Sequence, residues 1–291
     1  MSLIRKTAVV LEMIKFEHSI FALPFALTGA LLAVRGTALS NLELATKFAW
    51  IVLAMVAARS AAMAFNRVVD ADIDAKNPRT ATRAIPAGLV SASFTWGFIV
   101  LWSAIFVFAA AMLNPLCLKL SPAVLIIVCG YSYTKRFTSL SHLVLGLALG
   151  IAPAAAWIAI RGSIDWRILV LTAAVMLWVA GFDIIYSCQD KDFDDKSGLH
   201  SIPSKLGLGG ALTLSRLMHI AMVGLLVWLW SLSALGWVAL AGIAVVAAVL
   251  IYEQSLVSAT DLSRVNAAFF TMNGVVSVLF FVFWAADIAW I

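Results

Sequence analysis

Charge is what this chain has least of. Only 12% of its 291 residues are Asp, Glu, Lys or Arg, roughly half the share of an average soluble domain. Hydrophobic residues make up 63% and the mean hydropathy is +1.02, which excludes a soluble globular protein. Cysteine is also scarce: Cys117, Cys129 and Cys188 form no CxxC or Cys/His spacing. That excludes a disulfide framework and a zinc site, and leaves them as small apolar packing residues. His18, His142, His200 and His219 are scattered without metal spacing. The short alternating segments of a β-barrel are missing. No small-residue cleavage site follows a short apolar core, so a removable signal peptide is not expected. Gly207, Gly209 and Gly210 lack the Lys-Ser/Thr of a phosphate loop and read as a turn into the following helix. The net charge of +5 fits basic loops against anionic lipid headgroups better than nucleic acid.

What the chain does have is a succession of apolar stretches near or above the ~20 residues that cross a bilayer. They predict an all-α polytopic membrane protein, one membrane-embedded domain over residues 1–291. Nine spans fall near 16–39, 46–69, 92–113, 117–134, 141–161, 166–189, 208–232, 234–256 and 264–287. With the N-terminus and the loops 70–91, 135–140, 190–207 and 257–263 on one side, that side, counted with the adjoining helix ends, holds fifteen of the twenty Lys and Arg residues. Arg35, Lys47, Lys119, Arg161 and Arg167 remain on the other. The excess of basic residues on the inner side places those loops in the cytoplasm, in a plasma-type (bacterial inner) membrane. Gly146 and Gly150 form a GxxxG suited to close helix packing. Pro24 and Pro153 fall inside spans and are expected to kink them and widen a central cavity.

Most of the few acids are concentrated in two places. Asp70, Asp72, Asp74, Asp183, Asp190, Asp192, Asp194 and Asp195 are eight of the fifteen, and they lie at the ends of the second and sixth spans. Spacing by four puts Asn66, Asp70 and Asp74 on one helical face, drifting by only about 40° per step. Asp190 and Asp194 repeat the spacing. Carboxylates at a bilayer are costly and usually face a polar cavity or a partner. Two such edges facing each other make a cage of hard oxygen ligands suited to Mg²⁺ that also grips a diphosphate. Asn66, Asp70, Asp74, Asp190 and Asp194 are therefore the candidate metal ligands, the four Asp residues also being the candidate catalytic ones. Arg59 shares the face of Asn66, Arg79 and Arg83 follow in the loop, and guanidinium groups grip phosphate oxygens in bidentate fashion. Lys135 and Arg136 close the fourth span just after Tyr131, as candidate partners of a phosphate or a substrate carboxylate. Asp183 lies about two turns before Asp190, Tyr186 could orient a diphosphate oxygen, and Lys191 completes the substrate-binding candidates.

These residues resemble the motifs of the UbiA-type superfamily of intramembrane aromatic prenyltransferases. Asn66, Asp70 and Asp74 match its first motif, followed by Arg79-Thr80 and by Arg83-Ala84-Ile85-Pro86-Ala87-Gly88. Lys135-Arg136-Phe137-Thr138 matches an intervening segment, and Tyr186, Asp190 and Asp194 match the second motif, continued by Lys196-Ser197-Gly198 and Ser201. The resemblance implies nine helices around a central cavity whose mouth carries both motifs. It implies Mg²⁺, in two ions, holding a polyprenyl diphosphate whose tail lies toward membrane lipid, and transfer of the prenyl group to an aromatic acid acceptor in ubiquinone or menaquinone biosynthesis. The branch most similar is that of the 4-hydroxybenzoate polyprenyltransferases. The chain departs from that branch at Arg67, where many members carry Asp, and at Ala71, where they carry a basic residue. A dihydroxynaphthoate-prenylating enzyme of menaquinone synthesis therefore stays open as an alternative, as does a haem-farnesylating one. A cation-coupled transporter is the alternative from another class, but it would place its carboxylates near the midplane beside broken helices.

Cysteines introduced into loops 76–88 and 191–205 are expected to react with membrane-impermeant thiol reagents only from the cytoplasmic side. Labelling from the opposite side would overturn the charge-based topology.

Overall fold

The structure, a computed structural model, describes residues 3–13 and 21–290. The expected entry of the first span at residue 16, together with His18, lies outside them. The described chain is built from helices: α1 (Leu3–Met13), α2 (Leu23–Val34), α3 (Asn41–Val69), α4 (Ala71–Lys76), α5 (Ala92–Leu113), α6 (Pro115–Thr134), α7 (Ser141–Arg161), α8 (Trp166–Ser187), α9 (Lys191–Ser197), α10 (Ile202–Leu232), α11 (Trp237–Ser255) and α12 (Asn273–Trp290). Among the described residues, eight helices are long and apolar enough to cross a membrane, and α2 is a shorter apolar ninth. Two of the expected spans, 92–113 and 141–161, coincide with α5 and α7.

Local chemistry sets the helix ends. Ser40 and Glu43 form a reciprocal capping box at the start of α3, satisfying two backbone donors that a helix start leaves without partners. Asn114 caps α6, where Pro115 occupies the first turn, and Asp165 caps α8. Pro24 also stands in a first turn, that of α2. It starts a helix rather than kinking a span, because its missing N–H costs nothing there. Gly207 takes a left-handed φ of 69° and interrupts α10, so the expected turn is a break near the start of that helix.

Helix α8 is the pillar of the bundle, packed between α7 and α10. Leu171, Ala174, Val175 and Trp178 have no exposed surface, and Phe25 of α2 lies between Trp178 and Phe280, at ring distances of 4.9 and 4.8 Å. Glycines let these backbones approach. A Cβ on Gly146 would collide with the Met176 carbonyl, and one on Gly150 would sit 2.8 Å from that of Thr172, so the GxxxG is the α7–α8 seam. Val100, Phe108, Ile126, Ile220 and Ile251 are exposed, as suits side chains facing lipid. This is an integral membrane bundle.

Gly146→Leu should lower stability by ~1–3 kcal/mol, the scale of overpacking, measured as thermal unfolding in detergent. Gly224→Leu, at a position facing open space, should leave it nearly unchanged; equal effects would contradict the seam.

Candidate active site

Both acidic motifs straddle a break in a helix. Asp70 ends α3 and precedes α4, and a 3-10 turn at Cys188–Asp190 separates α8 from α9. Across the first break the backbone keeps the i, i+4 pattern, with Asp70 N–H donating to Asn66 O and Asp74 N–H to Asp70 O. Asn66, Asp70 and Asp74 therefore stay on one side and line a cavity of about 1210 Å³. Asp183, Tyr186, Asp190 and Asp194 line the same cavity from α8 and α9.

The two carboxylates of the first motif are buried, and they are held on bases. Asp70 is 2% exposed and Asp74 4%. The Lys135 ammonium lies 2.7 Å from Asp70 Oδ2, and Arg83 Nη1 lies 2.7 Å from both oxygens of Asp74. Asn66 Nδ2 donates to Asp70 (2.9 Å) and to Ser132 Oγ (3.3 Å). Arg79 ties the two motifs together: from the loop after the first it donates through Nε and Nη2 to Asp190 and through Nη1 to the Tyr186 hydroxyl (3.0 Å). Burial lowers the pKa of Arg79, but the hydrogen bonds and charge of Asp190 and the Tyr186 hydroxyl together outweigh it and hold the guanidinium above its ordinary value. Asn77 also reaches across, its Nδ2 donating to Asp190 Oδ1 at 3.0 Å.

Deeper in, Asp183 lies 2.7 Å from His142 Nδ1, and His142 Nε2 accepts the Ile202 backbone N–H. Accepting at Nε2 leaves the ring proton of the neutral imidazole on Nδ1, where it donates to Asp183. Arg59 and Tyr131 stand on the cavity wall further from the mouth. Past them the lining becomes small and aliphatic, with Ala148, Leu149, Ala152 and Ile158 among its residues.

Two expected site residues sit elsewhere. Arg136 is not on the cavity wall; its Nη2 donates to Val69 O (2.7 Å) and Asp70 Oδ1 (3.2 Å), and its guanidinium lies over the Tyr133 ring. It follows Lys135 by one residue, so it leaves the backbone in another direction and braces Asp70 from outside. Lys191 also turns away from the cavity and pairs with Asp195 one helical turn on, at 2.7 Å. Sequence reasoning missed Asn77, Ser132 and His142. Asn77-Pro78 was a visible turn signal directly after the first motif, whereas nothing near His142 marked it.

Among the described residues no group of three or more His, Cys, Asp or Glu side chains converges as a metal-holding cluster. The wall does present five oxygen-bearing side chains, Asn66, Asp70, Asp74, Asp190 and Asp194, and hard oxygens are the donors that Mg²⁺ takes. Basic groups capable of gripping phosphate lie beside them, so the donor set fits a metal–diphosphate pair.

The sequence profile of the UbiA prenyltransferase family matches residues 22–290. The chain belongs to this family. A 4-hydroxybenzoate octaprenyltransferase from Vibrio campbellii is 32% identical over 238 residues, 80% of this chain and 83% of that protein. One from Citrobacter koseri is 29% identical over 79% of this chain and 81% of its own length. Among solved structures, an apo UbiA homolog from Aeropyrum pernix K1 is 39% identical, superposes with a TM-score of 0.84 and covers 94% of this chain and 98% of its own. A UbiA homolog from Archaeoglobus fulgidus bound to GPP and Mg²⁺ is 19% identical, with a TM-score of 0.72 over 97% of this chain and 99% of its own, and shares the UbiA fold.

Proposed function

We propose that this chain transfers a polyprenyl group from a polyprenyl diphosphate to a ring carbon of an aromatic acid of the 4-hydroxybenzoate type, a step of quinone biosynthesis. The observation that carries this reading is the bridging of the two acidic motifs by Arg79 and Asn77 at the mouth of one large, otherwise apolar cavity. The relatives named 4-hydroxybenzoate octaprenyltransferase favour that acceptor over a dihydroxynaphthoate or haem.

Asn66, Asp70, Asp74, Asp190 and Asp194 would hold Mg²⁺, in two ions. When bound, the metal supplies electrostatic stabilisation of the charge that develops on the leaving diphosphate. Arg79, Arg83 and Lys135 then have phosphate oxygens as alternative partners to the carboxylates they rest on, and a guanidinium fork suits such oxygens. The allylic C–O bond breaks with its electron pair departing on the diphosphate. A ring carbon ortho to the phenol supplies the pair for the new C–C bond, and the ring loses its proton to the departed diphosphate. The apolar walls receive the tail and exclude the water that would quench the allylic cation to an alcohol. Of the basic residues considered for the acceptor carboxylate, Arg59 takes the part in place of Arg136, since it stands on the wall beside Tyr131. The mouth would open to the cytoplasm, as the loop charges indicate.

Purified protein should transfer labelled prenyl from a prenyl diphosphate to 4-hydroxybenzoate and stop when EDTA removes divalent metal. Asp70→Ala, Asp74→Ala, Asp190→Ala and Asp194→Ala should each lower turnover by at least ~10²-fold, the scale of losing a transition-state electrostatic contact. Near-normal transfer by two or more of them would defeat the mechanism. Arg59→Ala should raise the acceptor KM about tenfold or more, while Arg136→Ala acts on the donor side through Asp70; the reverse pattern would return the acceptor to Arg136.

A further inference from the structure

The last span does not enter the membrane as a plain α-helix. Ala267–Met272 form a single π-helical turn ahead of α12, a widened geometry that is rare and concentrated at functional sites. Asn273, fully buried, holds the turn by donating Nδ2 to the carbonyls of Ala268 (3.2 Å) and Phe269 (3.0 Å). The turn sets two successive rings, Phe269 and Phe270, on the cavity wall, with centroids 4.6 Å apart and planes at 89°.

These rings stand at the charged end. The Phe269 ring lies 4.2 Å from that of Tyr186, tilted by 31°, and Phe182 approaches it at 5.3 Å and 82°. Tyr186 in turn accepts the hydrogen bond of the same Arg79 that grips Asp190. Retaining an isoprenoid tail needs only apolar lining, and the wall away from this cluster is mostly aliphatic, with Phe106 as an aromatic exception. A cluster of π faces beside the diphosphate-binding end serves a different need, because a cation over an aromatic face is stabilised by the ring quadrupole, most strongly where water is excluded.

We propose that Phe269 and Phe270 form an aromatic wall that stabilises the allylic cation during prenyl transfer. The proposal rests on the prenyl-transfer reading. As the C–O electron pair leaves with the diphosphate, positive charge spreads over the allylic carbons, and the wall lowers the energy of that charge until the acceptor ring supplies a pair for the C–C bond and gives up its proton to the diphosphate. Phe269 and Phe270 act on the reacting carbons, and Asn273 positions them.

The test replaces Phe269 by Leu, by Tyr and by mono-, di- and trifluorinated phenylalanine, and repeats Leu at Phe270. It measures kcat with acceptor, prenyl alcohol released without acceptor, and the Kd of a non-cleavable prenyl diphosphate analogue by calorimetry. Phe269→Leu should lower kcat and alcohol release about ten- to thirtyfold, the scale of a desolvated cation–π contact, with the analogue's Kd within about threefold of wild type. Phe269→Tyr should restore most of the rate, and log kcat should fall stepwise with each fluorine. A Leu variant as fast as wild type, a loss confined to analogue binding, or a rate indifferent to fluorine overturns the wall. Failure of the parent reading is distinguishable, since it shows in the wild-type protein: a wild type that cleaves prenyl diphosphate but uses another acceptor still supports the wall through alcohol release, and one that cleaves none overturns both.

Discussion

A carboxylate taken out of water must find a partner, and the active end of this protein is organised by that requirement. Removing a single ionised group from water costs several kcal/mol even after the surroundings relax. Asp70 and Asp74 are nearly inaccessible, and each sits on a base drawn from a different part of the chain: Lys135 from the end of α6, Arg83 from the loop after α4. Asp190 is satisfied from the far motif by Arg79 and Asn77. Pairing of charges thus ties together α3, α6, α8 and the loop at 77–91. The same groups, already desolvated and aimed at one another, are those that a metal–diphosphate pair would engage, so little reorganisation stands between the resting site and substrate.

The apolar part of the bundle serves that end. Tight glycine seams hold α7 against α8, and α8 carries Asp183 and Tyr186 at a fixed depth beneath Asp190. Toward the mouth the wall carries the ionic groups and the aromatic rings beside them; deeper in the lining is mostly aliphatic. One cavity therefore joins a surface able to neutralise a diphosphate to a volume able to hold a hydrocarbon chain, and the break at the end of α3 and the 3-10 turn after α8 steer both motifs to its mouth.

Much of this was legible in the residues. The edges of 92–113 were readable because Ser91 and Asn114 bound a strongly apolar run, and those of 141–161 because Ser141 opens and Gly162 ends another. The four-residue spacing of Asn66, Asp70 and Asp74 gave their common face. What failed was direction and distance. Arg136 and Lys135 are adjacent in sequence, but only Lys135 reaches the cavity; Lys191 had a partner four residues on in Asp195, an i, i+4 pair that argued for a solvated helix face. His142 with Asp183 and Asn77 with Asp190 meet across 41 and 113 residues, and no local pattern encodes such contacts. Phe269 and Phe270 read as two more apolar residues in a span, since the π-turn that places them depends on Asn273.

The central claim is that the two acidic motifs act as one metal-dependent diphosphate site. Calorimetry of a non-cleavable prenyl diphosphate analogue, with Mg²⁺ titrated, into wild type, Asp74→Asn, Asp190→Asn and the double variant tests it most directly. Binding that needs Mg²⁺, weakens in each single variant and weakens in the double by less than the sum of the two is the predicted result. Metal-independent binding, or a motif whose loss leaves affinity unchanged, would contradict it.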